Sequence, residues 1–228
     1  MIISYCIPCH NRTHDLRIVM PSLIRAANTS PPVEIMVLDY NSPDNLAEFM
    51  RHTVETTDLT GGSMLSYKKY TEGKYFRVAH ARNLSALASC GEFLILSCAD
   101  HILDKGYFEA VRELLKGGDC VWLEAHPRGG GIIGCNRDEF ISAGGYDERF
   151  DLYGKEDKDL IARLKRRGGK FKQTPSYLAA YIYTPKPVKY RNLRPGLSWA
   201  ETEKYSKAIY EENIVNKTLV ANKNGWGK

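Results

Sequence analysis

The sequence predicts an α/β fold with a mostly parallel central sheet flanked by helices, and three observations predict it. Residues 1–8, 33–39 and 92–97 are short apolar, β-rich runs. They are continuous instead of alternating, as strands buried on both faces are. Between the first two, Leu16, Val19, Met20, Leu23 and Ile24 recur at helical spacing. Strand, helix, strand, helix in that order is the signature of βαβ units. A hydrophobic content of 43% and a charged content of 26% over 228 residues suit one well-buried globular domain.

The elements follow in order. Pro8 closes the first strand, and Thr13 is the expected N-cap of the helix over 15–27. VEIMVLD over 33–39 ends on an acid, and residues 41–44 open a helix that reaches about 54. A loop at 56–62, a short strand at 64–67 and a polar stretch at 72–77 precede a helix at 79–88. EFLILS over 92–97 exits into Cys98, Ala99, Asp100 and His101. A helix over 104–115, a strand over 120–124, a glycine-rich turn over 127–131, a strand over 132–136 and a helix over 137–143 come next. Residues 156–167 form a helix, 171–173 an edge strand and 198–213 the last helix. Residues 221–228 read as a polar, mobile end.

Composition narrows the function classes. No apolar run approaches the roughly 18 residues of a membrane span. The N-terminus MIISYCIPCHNR lacks the basic start of a signal peptide. A cytoplasmic protein with no membrane span is expected. The six cysteines sit mostly in strand-like runs and read as free thiols. Cys6 and Cys9, followed by His10, have no second CxxC to complete a zinc site and read as a strand end. The net charge of +5 is unevenly spread: residues 1–150 hold 15 Lys and Arg against 19 Asp and Glu, residues 151–228 hold 17 against 8. The basic C-terminal third is either a solvated face or a surface for an anionic partner.

Ligands of open α/β sheets bind beyond the carboxyl ends of the strands, which points to residues 8–12, 39–42 and 98–101. A second concentration of chemistry lies at GGYDERFDLYGKEDKDLIAR over 144–163, where Asp151, Glu156, Asp157 and Asp159 crowd one turn and helix start. One capping acid suffices for a helix.

Four stretches, in order, resemble the GT-A fold glycosyltransferases of the family 2 type. SYCIPCHNR over 4–12 resembles the family's first strand. VLDYNS over 37–42 resembles VVDDGS. ARNLSALASCGEFLILSCAD over 81–100 resembles the block that ends in the metal-binding DxD. GGYDERFDLYGKEDKDL over 144–160 resembles the G-F-D-E-x-F…G-x-E-D-x-D-L block, shared with galactosyltransferase-like C-terminal modules. The resemblance spans about 4–165 and stops short of 176–228. It implies a GT-A (Rossmann-like) domain over 1–185, its nucleotide-sugar-binding half at 1–104 and its acceptor and catalytic half at 105–185. Residues 186–228 are then a basic extension with a helix.

The resemblance also implies an inverting transferase that moves a sugar from a nucleotide-diphosphate donor, most readily a UDP-sugar, to an acceptor hydroxyl. Asp157 takes the place of the general base, with Glu156 beside it on the acceptor. Pro8, Arg12, Asp39, Tyr40, Arg82 and Asp100 fall at donor-binding positions, Tyr40 as a platform for the base or Asp39 as its reader. Asp100, with His101 next to it, is the expected ligand of Mn²⁺ or Mg²⁺. The chain departs from the pattern in three places. The second acid at the second strand exit is Tyr40, the first acid of the DxD is Cys98, and no histidine follows Asp157.

Alternatives stand beside these readings. Glu156, Asp157 and Asp159 otherwise only complement the helix dipole, each contributing roughly 0.3–1 kcal/mol. Asp100 otherwise caps a helix, and Arg82 otherwise makes a surface salt bridge. The Gly129–Gly131 run either lines a sugar pocket or only turns the chain. The tyrosines and cations between 177 and 194 form a lid over the diphosphate, with Lys186, Lys189 or Arg191 in place of the missing histidine, or grip nucleic acid, or pack as a surface tail. Two further functions remain in view: glycosylation of hydroxymethylated DNA bases, and a non-catalytic nucleotide- or nucleic-acid-binding module.

Overall fold

The computed structural model describes residues 1–116, 121–123 and 132–227. Its elements are β1 (Ile3–Cys9), α1 (Thr13–Thr29), β2 (Val33–Tyr40), α2 (Leu46–Thr56), β3 (Met64–Tyr70), α3 (Val78–Ala88), β4 (Phe93–Leu96), β5 (His101–Leu103), α4 (Tyr107–Leu115), β6 (Val121–Leu123), β7 (Ile132–Asn136), α5 (Arg137–Ser142), α6 (Glu156–Arg166), β8 (Ala179–Tyr181), α7 (Lys186–Tyr190) and α8 (Trp199–Val215).

Among the described residues, six strands form one sheet in the order β3-β2-β1-β4-β7-β6. β3, β2, β1 and β4 run parallel, while β7 pairs antiparallel with β4 and β6 antiparallel with β7. Every residue of β1 and β2 is buried, which is why their sequences show no alternation. One face, through Tyr5, Ile7 and Ile35, packs on Leu16, Val19 and Leu23 of α1, Met50 of α2 and Phe108 of α4. The other, through Cys6, Leu94 and Leu96, packs on Ala79 of α3, Phe140 of α5, Leu160 of α6 and Ile209 of α8. Each fully buried aliphatic side chain contributes about 1.5–3 kcal/mol.

Local readings are corrected in several places. Thr13 is the first helical residue of α1 and not its cap; its backbone N–H donates to Asp44 Oδ2 at 2.9 Å, so the β2 exit caps α1. β3 runs three residues further than expected, to Tyr70. Residue 172 makes a single bridge where an edge strand was expected. The pair β5–β8 was not expected; it ties residues 101–103 to 179–181 in antiparallel register. Gly129–Gly131 and Cys120 lie outside the described residues.

Residues 186–227, expected as an extension, are tied into the rest of the chain. Asn213 of α8 donates to Asp147 and Asp159, both at 2.9 Å. Trp226 packs on the Phe140 ring, and the Ala221 N–H bonds the Ala143 carbonyl at 3.0 Å. Residues 221–227 are thus anchored, not mobile as their composition suggested. No helix among the described residues is long and apolar enough to cross a membrane.

Candidate active site

Because β1, β2 and β4 are parallel, their carboxyl ends open on one edge of the sheet. A cleft lies there, lined by Pro8, His10 and Arg12 from the β1 exit and Cys98 to His101 from the β4 exit. Arg82 of α3, Tyr153, Glu156 and Asp157 form its opposite wall, and Tyr181, Lys189, Asn192 and Leu193 cover it.

The acid pair is built by the backbone. Gly154 at φ +103° and Lys155 at φ +71° turn the chain into α6, so that Glu156 and Asp157 begin the helix. A Cβ at Gly154 would meet nothing within 4 Å; the glycine serves its left-handed backbone, not a close approach. The four carboxylates divide by partner. Asp151 turns away to accept from Tyr75 Oη at 2.7 Å and from Arg77. Asp159 pairs with fully buried Arg163 at 2.8 Å, whose other nitrogens bond the Ala143 and Gly145 carbonyls. Glu156 and Asp157 alone reach the cleft.

Arg82 holds that pair. Its Nη1 contacts Asp157 Oδ1 and lies 3.3 Å from Glu156 Oε1, Nη2 lies 3.3 Å from Cys98 Sγ, and the guanidinium sits 5.1 Å over the Tyr146 ring. Tyr146 Oη donates to the same Asp157 Oδ1 at 3.1 Å. Asp157 Oδ2 carries no hydrogen bond among the described residues, and Asp157 lines the cleft with its side chain 24% exposed. Burial, with the adjacent Asp157 charge adding to it and Arg82 opposing, raises the Glu156 pKa to about 7. The same ARN stretch does a second job. Asn83 Nδ2 bonds the Tyr146 carbonyl and Glu148 while its Oδ1 accepts the Tyr146 N–H, which fixes the turn that carries Tyr146.

At the β4 exit Asp100 lies 3.6 Å from Arg12 Nη2 and 3.2 Å from His101 Nδ1. Burial alone would raise its pKa, but His101, Arg12 and Lys189 outweigh burial and lower it. His101 is buried, with its Nδ1 turned to Asp100. A carboxylate beside an imidazole nitrogen is a donor set that suits a divalent cation. Among the described residues no group of three His, Cys, Asp or Glu could hold a metal. The Cys98 thiol, the departure from DxD, is pushed up by burial and stays neutral beside Arg82.

The structure thus brings Pro8, Arg12, Arg82, Asp100, His101, Glu156 and Asp157 to one cleft, and leaves Asp39 and Tyr40 out of it. Asp39 is fully buried; it accepts the Ser42 N–H and the Tyr67 hydroxyl, each at 2.7 Å. Tyr40 is buried against Tyr70 and Phe76, its hydroxyl 2.7 Å from His80 Nδ1. Neither presents an edge to a ligand, because β3 and α3 cover the β2 exit. Arg82 lines the cleft with its guanidinium paired to the acids, and at 3% exposure it is no surface bridge.

Sequence reasoning missed His10 and Phe76, whose rings stack 5.9 Å apart at the cleft. It also missed Tyr146, Tyr153 and Asn192. Asn192 accepts from Asn11 at 2.9 Å, and its carbonyl accepts the Phe76 N–H at 2.7 Å, closing the segment after α7 over both sides of the cleft. Of the three cations offered for a lid, Lys189 lines the cleft.

The architecture defines the fold class: the chain has the GT-A fold. A family profile described as the N-terminal domain of galactosyltransferase matches residues 124–187. The chain is similar to the mannosyltransferase PcManGT from Pyrobaculum calidifontis in complex with GDP-Man and Mn²⁺ (17% identity, 95% of this chain and 71% of that one, TM-score 0.67). It is similar to S. aureus TarS residues 1–349 in complex with UDP-GlcNAc (12% identity, 95% and 67%, TM-score 0.71). It is also similar to the catalytic domain of Drosophila β1,4-galactosyltransferase 7 in complex with xylobiose (13% identity, 90% and 79%, TM-score 0.56). No curated protein sequence matches the chain.

Proposed function

We propose that this chain is an inverting glycosyltransferase that moves a sugar from a nucleotide-diphosphate donor to a carbohydrate hydroxyl. The observation that carries the reading is that Glu156–Asp157 and Asp100–His101 open onto one cleft at the carboxyl ends of β1 and β4. The nucleoside base stacks against Phe76 and His10, the cleft's aromatic wall, and a UDP-sugar is the proposed donor.

The acceptor hydroxyl loses its proton to Asp157 Oδ2 as its oxygen bonds the anomeric carbon. The bond from that carbon to the diphosphate breaks, and the diphosphate leaves with the electron pair. A single displacement inverts the anomeric centre. Arg82 and Tyr146 hold Asp157 through Oδ1 and so orient Oδ2 toward the acceptor. Arg12 and Lys189 place positive charge where the leaving diphosphate gains negative charge. Asp100 and His101 would hold a divalent cation, Mn²⁺ or Mg²⁺, which supplies further charge to that leaving group.

The test is a thermal-shift screen of UDP-, GDP-, dTDP- and CDP-sugars with and without Mn²⁺. A bound donor raises stability by mass action. One nucleotide family should raise the melting temperature more with Mn²⁺ than without, and no shift from any donor overturns the proposal.

A further inference from the structure

A second concavity, of about 590 Å³, lies on the other side of the Tyr153 wall. Its rim is made by Asp151 and Leu152, by residues 194–197, and by one face of α8, where Glu201, Lys204, Tyr205 and Ala208 recur at helical spacing. The two spaces share their wall. Leu152 faces the groove and Tyr153 the cleft; Arg194 faces the groove and Leu193 the cleft. The Tyr153 ring is braced by Tyr190 and Trp199, at 6.0 and 6.1 Å, and Trp199 is the first residue of α8. A chain-like ligand in the groove therefore lies against the same turn, residues 151–157, that delivers Glu156 and Asp157.

The side chains of the groove sort by whether they are already engaged. Both carboxylates are. Asp151 accepts from Tyr75 and Arg77, and Glu201 is taken by the Ser198 backbone and hydroxyl in a capping box at the α8 start. The recognition groups left over are of another kind. Lys204 and Tyr205 carry no hydrogen bond, ion pair or ring contact among the described residues. Arg194 pairs with Asp151 at 4.0 Å. Tyr205 is 46% and Leu197 41% exposed. An exposed aromatic face beside an aliphatic one suits the apolar face of a sugar ring, and Lys204 together with Arg194, which shares Asp151 with Arg77, suits an acidic substituent. Two cations flanked by two carboxylates are too few to track a phosphodiester backbone, which needs a run of them.

We infer that this groove binds an acidic oligosaccharide, the acceptor chain, with Tyr205 and Leu197 under a sugar ring and Lys204 and Arg194 on its carboxylate or sulfate groups. That the bound chain is the acceptor rests on the transferase reading; that the groove binds it does not.

The experiment titrates the full chain by calorimetry, without donor, with a hexagalacturonate, a heparin-derived hexasaccharide, neutral maltohexaose and a single-stranded oligonucleotide. The acidic glycans are expected to bind, the neutral one to bind at least about tenfold more weakly, and Tyr205→Ala and Lys204→Ala each to weaken acidic-glycan binding about tenfold. Both positions are exposed and outside the donor cleft, so the UDP and Mn²⁺ thermal shift of each variant should match the wild type. Absence of binding by both acidic glycans, equal binding of the neutral one, binding that survives both substitutions, or tighter binding of the oligonucleotide overturns the inference. A missing donor shift with glycan binding intact instead overturns the transferase reading and leaves the groove standing.

Discussion

Arg82 Nη1 lies 3.3 Å from Glu156 Oε1, and both side chains are at most 5% exposed. The same nitrogen reaches Asp157. One buried cation therefore serves two adjacent carboxylates at the start of a helix, and the acid pair depends on it.

Arg82→Ala leaves a buried carboxylate without its counter-charge. Breaking a buried ion pair on one side costs about 3–5 kcal/mol, and urea unfolding should show a loss of that order. Arg82→Lys should recover part of it, because a lysine keeps the charge and loses the second nitrogen, which lies 3.3 Å from Cys98 Sγ. A loss below about 1 kcal/mol, the range of exposed pairs, would contradict the buried clamp.

Glu156 predicts a pH signature. Its carboxyl is raised from an ordinary 4.5 to about 7, chiefly by burial and then by Asp157. The folded state thus binds this proton more tightly than the unfolded chain does. Stability from this group is fully present below the ordinary carboxylate range, declines as pH rises from there through about 7, and is level above. Glu156→Gln has no such proton to lose. Its melting temperature should gain on the wild type as pH rises through this window, and parallel melting curves across it would contradict the assignment.

Much of this was legible in the sequence. The parallel core was, because β1 and β2 are buried on both faces and their runs are apolar without alternation. The acid pair was, because four carboxylates exceed what a helix start needs. The β5–β8 pair was not, since three-residue strands carry no periodicity. Nor was the fate of Asp39: its hydroxyl donor, Tyr67, comes from the neighbouring strand, and only the register of β2 and β3 brings them together. The bond from Asn213 to Asp159, 54 positions away, likewise belongs to tertiary packing and hid the role of α8.

Asp100→Asn removes the one carboxylate at the β4 exit that faces both Arg12 and His101. The Mn²⁺-dependent part of the UDP thermal shift should disappear, while the metal-independent part, carried by the aromatic wall and Lys189, remains. A tenfold loss of affinity corresponds to about 1.4 kcal/mol, well within reach of competition binding. An undiminished Mn²⁺ increment would remove Asp100 from the cation site.

The central claim concerns Asp157, which lines the cleft, whose Oδ1 is held by Arg82 and Tyr146 and whose Oδ2 carries no hydrogen bond among the described residues. The most direct measurement is the rate of nucleoside-diphosphate release at saturating donor and acceptor, comparing wild type with Asp157→Asn. Asparagine preserves the shape and the Oδ1 acceptor and removes the basic oxygen. The account predicts a fall in kcat of about 10²–10⁴-fold with donor affinity unchanged. Turnover at the wild-type rate would contradict it.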